Sequence, residues 1–232
     1  MFSRTIIINL ERRLDRKLHM QSWVPQAWHP SFLDKVWDAS QLTRLPPEVK
    51  SLFPWEIKSE NAWWSRPLKI GEVACGLSHH ECWKIAASET DPTFILEDDT
   101  FGRGDFEMQT QRRMTDLNAL DPWWDLVYFG RVSMAVDLAF CCEGIFRPGY
   151  SHCTYAYAIS KNGAMKLLES EYLSHMMPVD EFLPALFCEH PRSDVRAIVR
   201  PILRAYAFQP EIIGQLEKMK WGSDTEESSN VF

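Results

Sequence analysis

Apolar residues in this chain gather in short continuous runs, and between the runs they recur every three or four positions. Continuous β-forming runs read as buried strands, and the wider spacing reads as helices with one inward face. Residues 4–10 (R-T-I-I-I-N-L) predict a first strand that stops at Asn9. The following E-R-R-L-D-R-K-L predicts a helix in which Leu14 and Leu18 share a side and the charges fall mainly elsewhere. Further strands are predicted at 93–96 after the Asp91-Pro92 turn, at 124–129 (W-D-L-V-Y-F) up to Gly130 and Arg131, and at 154–159, where Tyr and Ala alternate. Helices are predicted from Gly71 through 88, with Cys75, Ser78, Cys82 and Ile85 in one stripe, and at 109–120. Another follows Ser160 as N-cap, with Ala164, Leu167 and Leu168 on one side, and a last one begins at Asp180 with Phe182, Leu183, Leu186 and Phe187. Residues 140–150 read as a loop or hairpin.

A strand leading into a helix at the start predicts an open α/β sheet, whose ligands sit beyond the C-terminal strand ends. Asn9, Arg12, Arg13, Asp15 and Arg16 are thereby placed near a crevice, with Arg12 best explained as helix surface. Residues 21–69 keep no long period, because tryptophans are scattered among prolines. The reading there is a short strand at 35–38, a short helix around 47–53 and a long connection to Leu68 suited to a lid.

Composition narrows the class. A chain of 232 residues with 45% hydrophobic and 25% charged residues has the balance of one soluble globular domain. A formal charge of −7 argues against holding nucleic acid by phosphate attraction. No apolar run approaches the ~20 residues of a membrane span, and M-F-S-R-T-I-I-I-N-L lacks a signal-peptide h-region, so the expectation is a soluble, cytoplasmic chain. Six cysteines without a C-x-x-C pair indicate free thiols rather than a zinc ribbon. The ten tryptophans suit core anchors, sugar platforms or nucleobase platforms equally.

The chemistry concentrates at 94–100, F-I-L-E-D-D-T, where a buried strand ends in three adjacent carboxylates, Glu97, Asp98 and Asp99. Like charges so close call for a cation, and oxygen ligands favour a divalent metal. Alternation along the backbone points Glu97 and Asp99 one way and Asp98 the other. A solvated acidic turn is the plain alternative. Asp180 has a structural account as an N-cap and also projects a carboxylate from a helix start, while Glu72 in a first turn complements the helix dipole. His79 and His80 have no histidine four positions on to form a metal pair. The polar, acidic residues 221–232 read as disordered by default, with Ser223, Asp224, Thr225 and Glu226 able to fold over a site.

Seven stretches in order resemble glycosyltransferase family 25, most closely its procollagen galactosyltransferase branch. They are I-I-N-L-E-R-R-L-D-R at 7–16, R-P-L-K-I-G-E-V-A-C-G-L-S-H at 66–79, L-E-D-D at 96–99 and W-D-L-V-Y-F-G-R at 124–131. T-Y-A-Y-A-I-S-K-N-G-A at 154–164, P-V-D-E-F-L-P at 178–184 and G-S-D-T-E-E-S at 222–228 complete the set. The resemblance implies a GT-A-type nucleotide-sugar-binding fold, a single domain with an open, mostly parallel sheet flanked by helices over 1–221, and a tail at 222–232 that closes over the site. It implies inverting transfer of galactose from UDP-galactose, with Mn²⁺ (or Mg²⁺) on Asp99 first and Glu97 second. Asp98 then braces the turn or contacts the ribose, and Asp180 is the general base with Glu181 in reserve. The donor side is implied to include Asn9, Arg13, Asp15, Arg16, Glu72, Ser78, His79 and Asp224. The implied acceptor is hydroxylysine of a collagen-like polypeptide, with a lipopolysaccharide or other glycan as alternative and a non-catalytic carbohydrate-binding module as the rival class. The motif has Ala74 where the family carries glycine. Animal relatives act in the endoplasmic reticulum lumen and carry a further N-terminal module, a signal peptide and a retention tail, which this sequence does not show.

Overall fold

The computed structural model describes residues 2–231, so Met1 and Phe232, the outer ends of the expected domain and tail, lie outside the described residues. The first half of the chain forms β1 (Arg4–Ile8), α1 (Leu14–Trp23), β2 (Pro30–Phe32), α2 (Ile70–Ser88), β3 (Thr93–Glu97), β4 (Thr100–Gly102) and α3 (Phe106–Leu120). The second half forms β5 (Leu126–Ser133), the hairpin β6 (Ala139–Cys142) and β7 (Ile145–Arg147), β8 (Ser151–Ile159) and α4 (Lys161–Glu169). It ends with α5 (Val179–Ala185), α6 (Ser193–Ile198), β9 (Ala205–Phe208), β10 (Ile213–Gln215) and α7 (Lys218–Trp221). Eight strands make one sheet in the order β2-β1-β3-β8-β5-β9-β7-β6, and β10 pairs with β4 beside it. β1, β2, β3, β5, β9 and β6 run one way and β8 and β7 the other, so the sheet is mixed in pairing and mostly parallel in direction. No helix among the described residues is long and apolar enough to cross a membrane.

Period-two alternation divides the strands between two hydrophobic cores. Ile6, Ile95, Tyr128 and Tyr157 face the side packed by α2, α4 and α5. Ile7, Phe94, Leu96, Val127, Phe129 and Ala158 face the other, with Met20 of α1 and Met114 and Leu117 of α3.

Several elements differ from the sequence reading, each for an identifiable reason. On α1, Leu14 and Leu18 are 63% and 68% exposed, while Arg16 and Met20 are buried. The inward stripe is set by Arg16, whose charge is satisfied by Asp98 at 2.7 Å, and not by the leucines. The second strand lies at Pro30–Phe32 rather than 35–38, where it pairs with β1. No helix forms around 47–53, because Leu52 bridges Met176 and the Phe53 N–H donates to the Met176 carbonyl at 2.9 Å. β5 runs past Gly130 and Arg131 with register shifts, since a cross-strand partner, β8, continues alongside it. Asp180 is the second residue of α5, whose N-cap is Pro178, so it is not the cap. Ser160 does cap α4, accepting from the Gly163 N–H at 3.0 Å. All six cysteines are free.

Candidate active site

The alternation that builds the two cores continues into the acidic triplet. Glu97 keeps the side of Ile95 and meets β8 and α2: its Oε1 accepts from Thr154 Oγ1 of β8 at 2.8 Å and lies 3.2 Å from His79 Nε2 of α2. Asp98 keeps the side of Leu96 and meets α1 and the end of β1, accepting from Arg16 Nη1 and from Asn9 Nδ2, each at 2.7 Å. Asp99 follows in the turn. Its Oδ2 accepts from Gln215 Nε2 at 3.1 Å, and its buried Oδ1 has no partner among the described residues.

These groups open onto one cleft beyond the C-terminal ends of β1 and β3, as an open α/β sheet requires. One wall is the start of α2, with Glu72, Cys75 and Ser78; another is the start of β8 and α5, with Thr154 and Asp180. Arg12, Arg16, Lys218 and Asp224 complete the rim. The residues after α7 do not hang free: the Ile70 N–H donates to the Ser229 carbonyl at 2.9 Å, and the Val231 N–H to the Leu68 carbonyl at 2.8 Å. Asp224 is clamped by Arg12 at 2.6 Å and Arg13 at 2.5 Å, so the tail crosses the cleft mouth.

Burial decides the electrostatics. Asp99 is pushed up to about 7, first by loss of water and then by the charge of Glu97. Burial acts in the same sense on Glu97, but donors from His79 and Thr154 outweigh it and hold that carboxyl low. Asp180 is also pushed up to about 7, by burial and by Glu181. Glu181 is different. Burial is overcome there by donors, and the carboxyl lies well below its usual range. Its oxygens accept from Trp63 Nε1 at 2.7 Å, Tyr150 Oη at 2.6 Å and His190 Nε2 at 2.6 Å, with His152 Nε2 at 3.1 Å.

The structure brings Glu97, Asp98, Asp99, Glu72, Ser78, Arg16, Asp180 and Asp224 together around the cleft. Other expected residues stand elsewhere. Glu181 is fully buried behind Asp180 and does not line the cleft, which corrects its reading as a reserve base. His79 is buried behind Glu97, and Asn9 behind Asp98. Arg13 does not line the cleft and pairs with Asp224 at its rim, and Asp15, 53% exposed, pairs with Arg13. Two cleft residues have complete structural accounts. Glu72 pairs with Arg66 at 2.5 Å and accepts from the Lys69 N–H at 2.7 Å, while Ser78 Oγ donates to the Ala74 carbonyl and accepts from the Trp37 N–H.

Arg12 is a correction in the opposite sense: it lines the cleft and bridges Asp38 and Asp224. Asp38, Thr154, Gln215 and Lys218 are cleft residues that sequence reasoning missed. The charged run after β1 carried a signal for Arg12, whereas nothing local marks Thr154 or Gln215. The 42–69 connection is pinned rather than free to swing, with Phe53 and Trp55 in the core and Trp63 and Trp64 donating to Glu181.

A mostly parallel sheet flanked by helices, with an acidic cleft at its strand ends, is consistent with a GT-A-like glycosyltransferase fold. The model of the family described as glycosyltransferase family 25 (LPS biosynthesis protein) matches residues 2–129. The human protein named inactive glycosyltransferase 25 family member 3 is 33% identical over 98% of this chain and 40% of its own length. Procollagen galactosyltransferase 1-B of Xenopus laevis is 32% identical over 91% of the chain and 36% of its own length, and procollagen galactosyltransferase 2 of the mouse is 30% identical over 91% and 35%. The chain belongs to glycosyltransferase family 25. It spans between 35% and 40% of the length of these curated relatives.

Proposed function

We propose that this chain is a metal-dependent inverting galactosyltransferase that moves galactose from UDP-galactose to a hydroxyl acceptor, hydroxylysine of a collagen-like polypeptide. Residues up to 221 form the catalytic domain, and the tail covers the cleft. The observation that carries this reading is Asp99 Oδ1: a buried carboxylate oxygen without a donor among the described residues, beside Glu97 and in the same cleft as a second acid, Asp180. Hard oxygen donors of this kind fit Mn²⁺ or Mg²⁺, with Asp99 and Glu97 as the protein ligands. Bound there, the cation supplies charge neutralisation for the diphosphate leaving group.

The remaining work falls to the chain itself. Asp180 takes the proton of the attacking hydroxyl, and its raised pKa matches a base that works near neutrality. Arg12 and Arg16 offer guanidinium donors to the phosphates at the rim. Asp98, held by Asn9 and Arg16, braces the turn that presents Asp99.

UDP release, followed across a panel of sugar nucleotides and acceptors with Mn²⁺ and with chelator, tests the proposal. Turnover is expected only with UDP-galactose, metal and a hydroxylysine peptide. Turnover with a glycan acceptor alone would reassign the acceptor. Metal binding without turnover on any pair would favour a non-catalytic module, a reading supported by relatives named inactive.

A further inference from the structure

Three polar side chains in series run from the core to Glu97, and one arrangement of protons satisfies all of their donors and acceptors together with the neighbouring Thr154 hydroxyl. Trp83 Nε1–H only donates, and it donates to Tyr157 Oη at 2.9 Å. The Tyr157 hydroxyl carries a single proton, and its other partner among the described residues is His79 Nδ1 at 3.0 Å. That proton therefore points at Nδ1, which accepts. The ring proton of His79 then sits on Nε2, facing Glu97 Oε1 at 3.2 Å. The reverse tautomer would leave the Tyr157 proton without an acceptor and aim a nitrogen lone pair at a carboxylate, and Thr154 Oγ1, 3.3 Å from Nε2, could serve that lone pair only by giving up its 2.8 Å bond to Glu97. Trp83, Tyr157 and His79 are fully buried, where an unmade hydrogen bond is costly.

The same assignment decides a second question. Ligand atoms of Cys75, His79 and Glu97 lie within 4.8 Å of one another, a set that by type alone suits a thiophilic metal. With Nε2 protonated, the histidine has no lone pair to give there. His79 acts on Glu97 as a donor.

We infer that the chain Trp83–Tyr157–His79 is a positioning device for the metal-binding carboxylate. It fixes one histidine tautomer, so that Nε2–H, together with the Thr154 hydroxyl, holds Glu97 Oε1 and leaves Oε2 as the oxygen presented to a cation. Oε2 takes no side-chain or backbone donor among the described residues, and Glu97 lines the cleft. An outer partner that orients a ligand in this way changes metal affinity without touching the metal. The inference rests on the metal reading above for its cation and on hydrogen-bond geometry alone for its tautomer.

Two measurements test it separately. Nitrogen NMR of the histidine ring in the full chain is expected to show His79 as the Nε2–H tautomer, and the Nδ1–H tautomer would overturn the relay. Mn²⁺ affinity, read by the EPR signal of free Mn²⁺, is expected to fall roughly tenfold or more in Tyr157→Phe and His79→Asn. His79→Gln, which restores an amide N–H near the Nε2 position, is expected to stay close to wild type. Equal loss in His79→Asn and His79→Gln, with melting temperatures alike, would overturn the positioning role. A wild-type chain that binds no Mn²⁺ while showing the Nε2–H tautomer would overturn the metal reading and the ligand half of this inference, and leave the relay standing.

Discussion

Asp180 and Glu181 are consecutive residues with opposite environments. Asp180 faces the cleft and is pushed up to about 7 by burial and by its neighbour, whereas Glu181 is sealed among Trp63, Tyr150, His152 and His190 and stays ionised. One helix start thus carries a proton acceptor and the fixed charge that makes it basic.

Asp180→Asn is expected to lower transfer by roughly 10²–10⁴ while UDP-galactose still binds. A carboxyl raised in the folded state binds its proton more tightly there than in the unfolded chain. Its ionisation therefore removes stability as pH rises from ~3.9, the unfolded value, towards the folded one, and the loss is complete above it. The amide variant should melt higher than wild type in alkaline buffer and no higher in acid. A lower melting temperature at both would show a structural role instead.

Glu181→Gln should do the reverse. It puts an amide N–H among groups that are all donors, at a cost on the order of 3 kcal/mol. Because the Glu181 carboxyl is held low, its contribution is present above the unfolded value and is lost as pH falls through the folded one. Denaturant titrations should show the deficit at neutral pH and its disappearance in strong acid. Removing this charge should also move the acidic limb of the pH–rate profile to lower pH.

Asp99, pushed up to about 7, competes for a proton with any cation it binds. Mn²⁺ affinity should therefore rise with pH up to about neutrality and then level. Calorimetry in buffers of different ionisation enthalpy should show proton release below that point. Asp99→Asn should flatten the profile and weaken binding; an unchanged profile would remove Asp99 from the ligand set.

Arg16 and Asp98 are both buried, and each is the other's counter-charge. Arg16→Met alone should destabilise by about 3–5 kcal/mol, because a buried carboxylate is left unpaired. Adding Asp98→Asn should recover much of that loss. Additive losses in the double-mutant cycle would show that the pair is not coupled.

The strands and the long α2 helix were legible because continuous apolar runs and the helical period dominate there. The triplet was legible for the same reason, since three acids at the end of such a run have no packing explanation. The exposed leucines of α1 were not, because pattern reading ranks Leu above Arg for the core and cannot see Asp98 arriving from the turn after β3, 82 residues further along the chain. Glu181 reads like Asp180 in sequence. Only the arrival of His152, His190 and the 42–69 connection separates their roles. That connection has no period to read, since it packs through single tryptophans and backbone hydrogen bonds to distant residues.

Glu97, the last residue of β3, and Asp98, the first beyond it, turn to opposite sides of the sheet, each gripped by a helix belonging to a different core. The spacing of the acidic groups is therefore a gauge of how α1 and α2 are aligned across the sheet. A substitution deep in either core, far from any ligand, would be transmitted as a change in bite at the strand end.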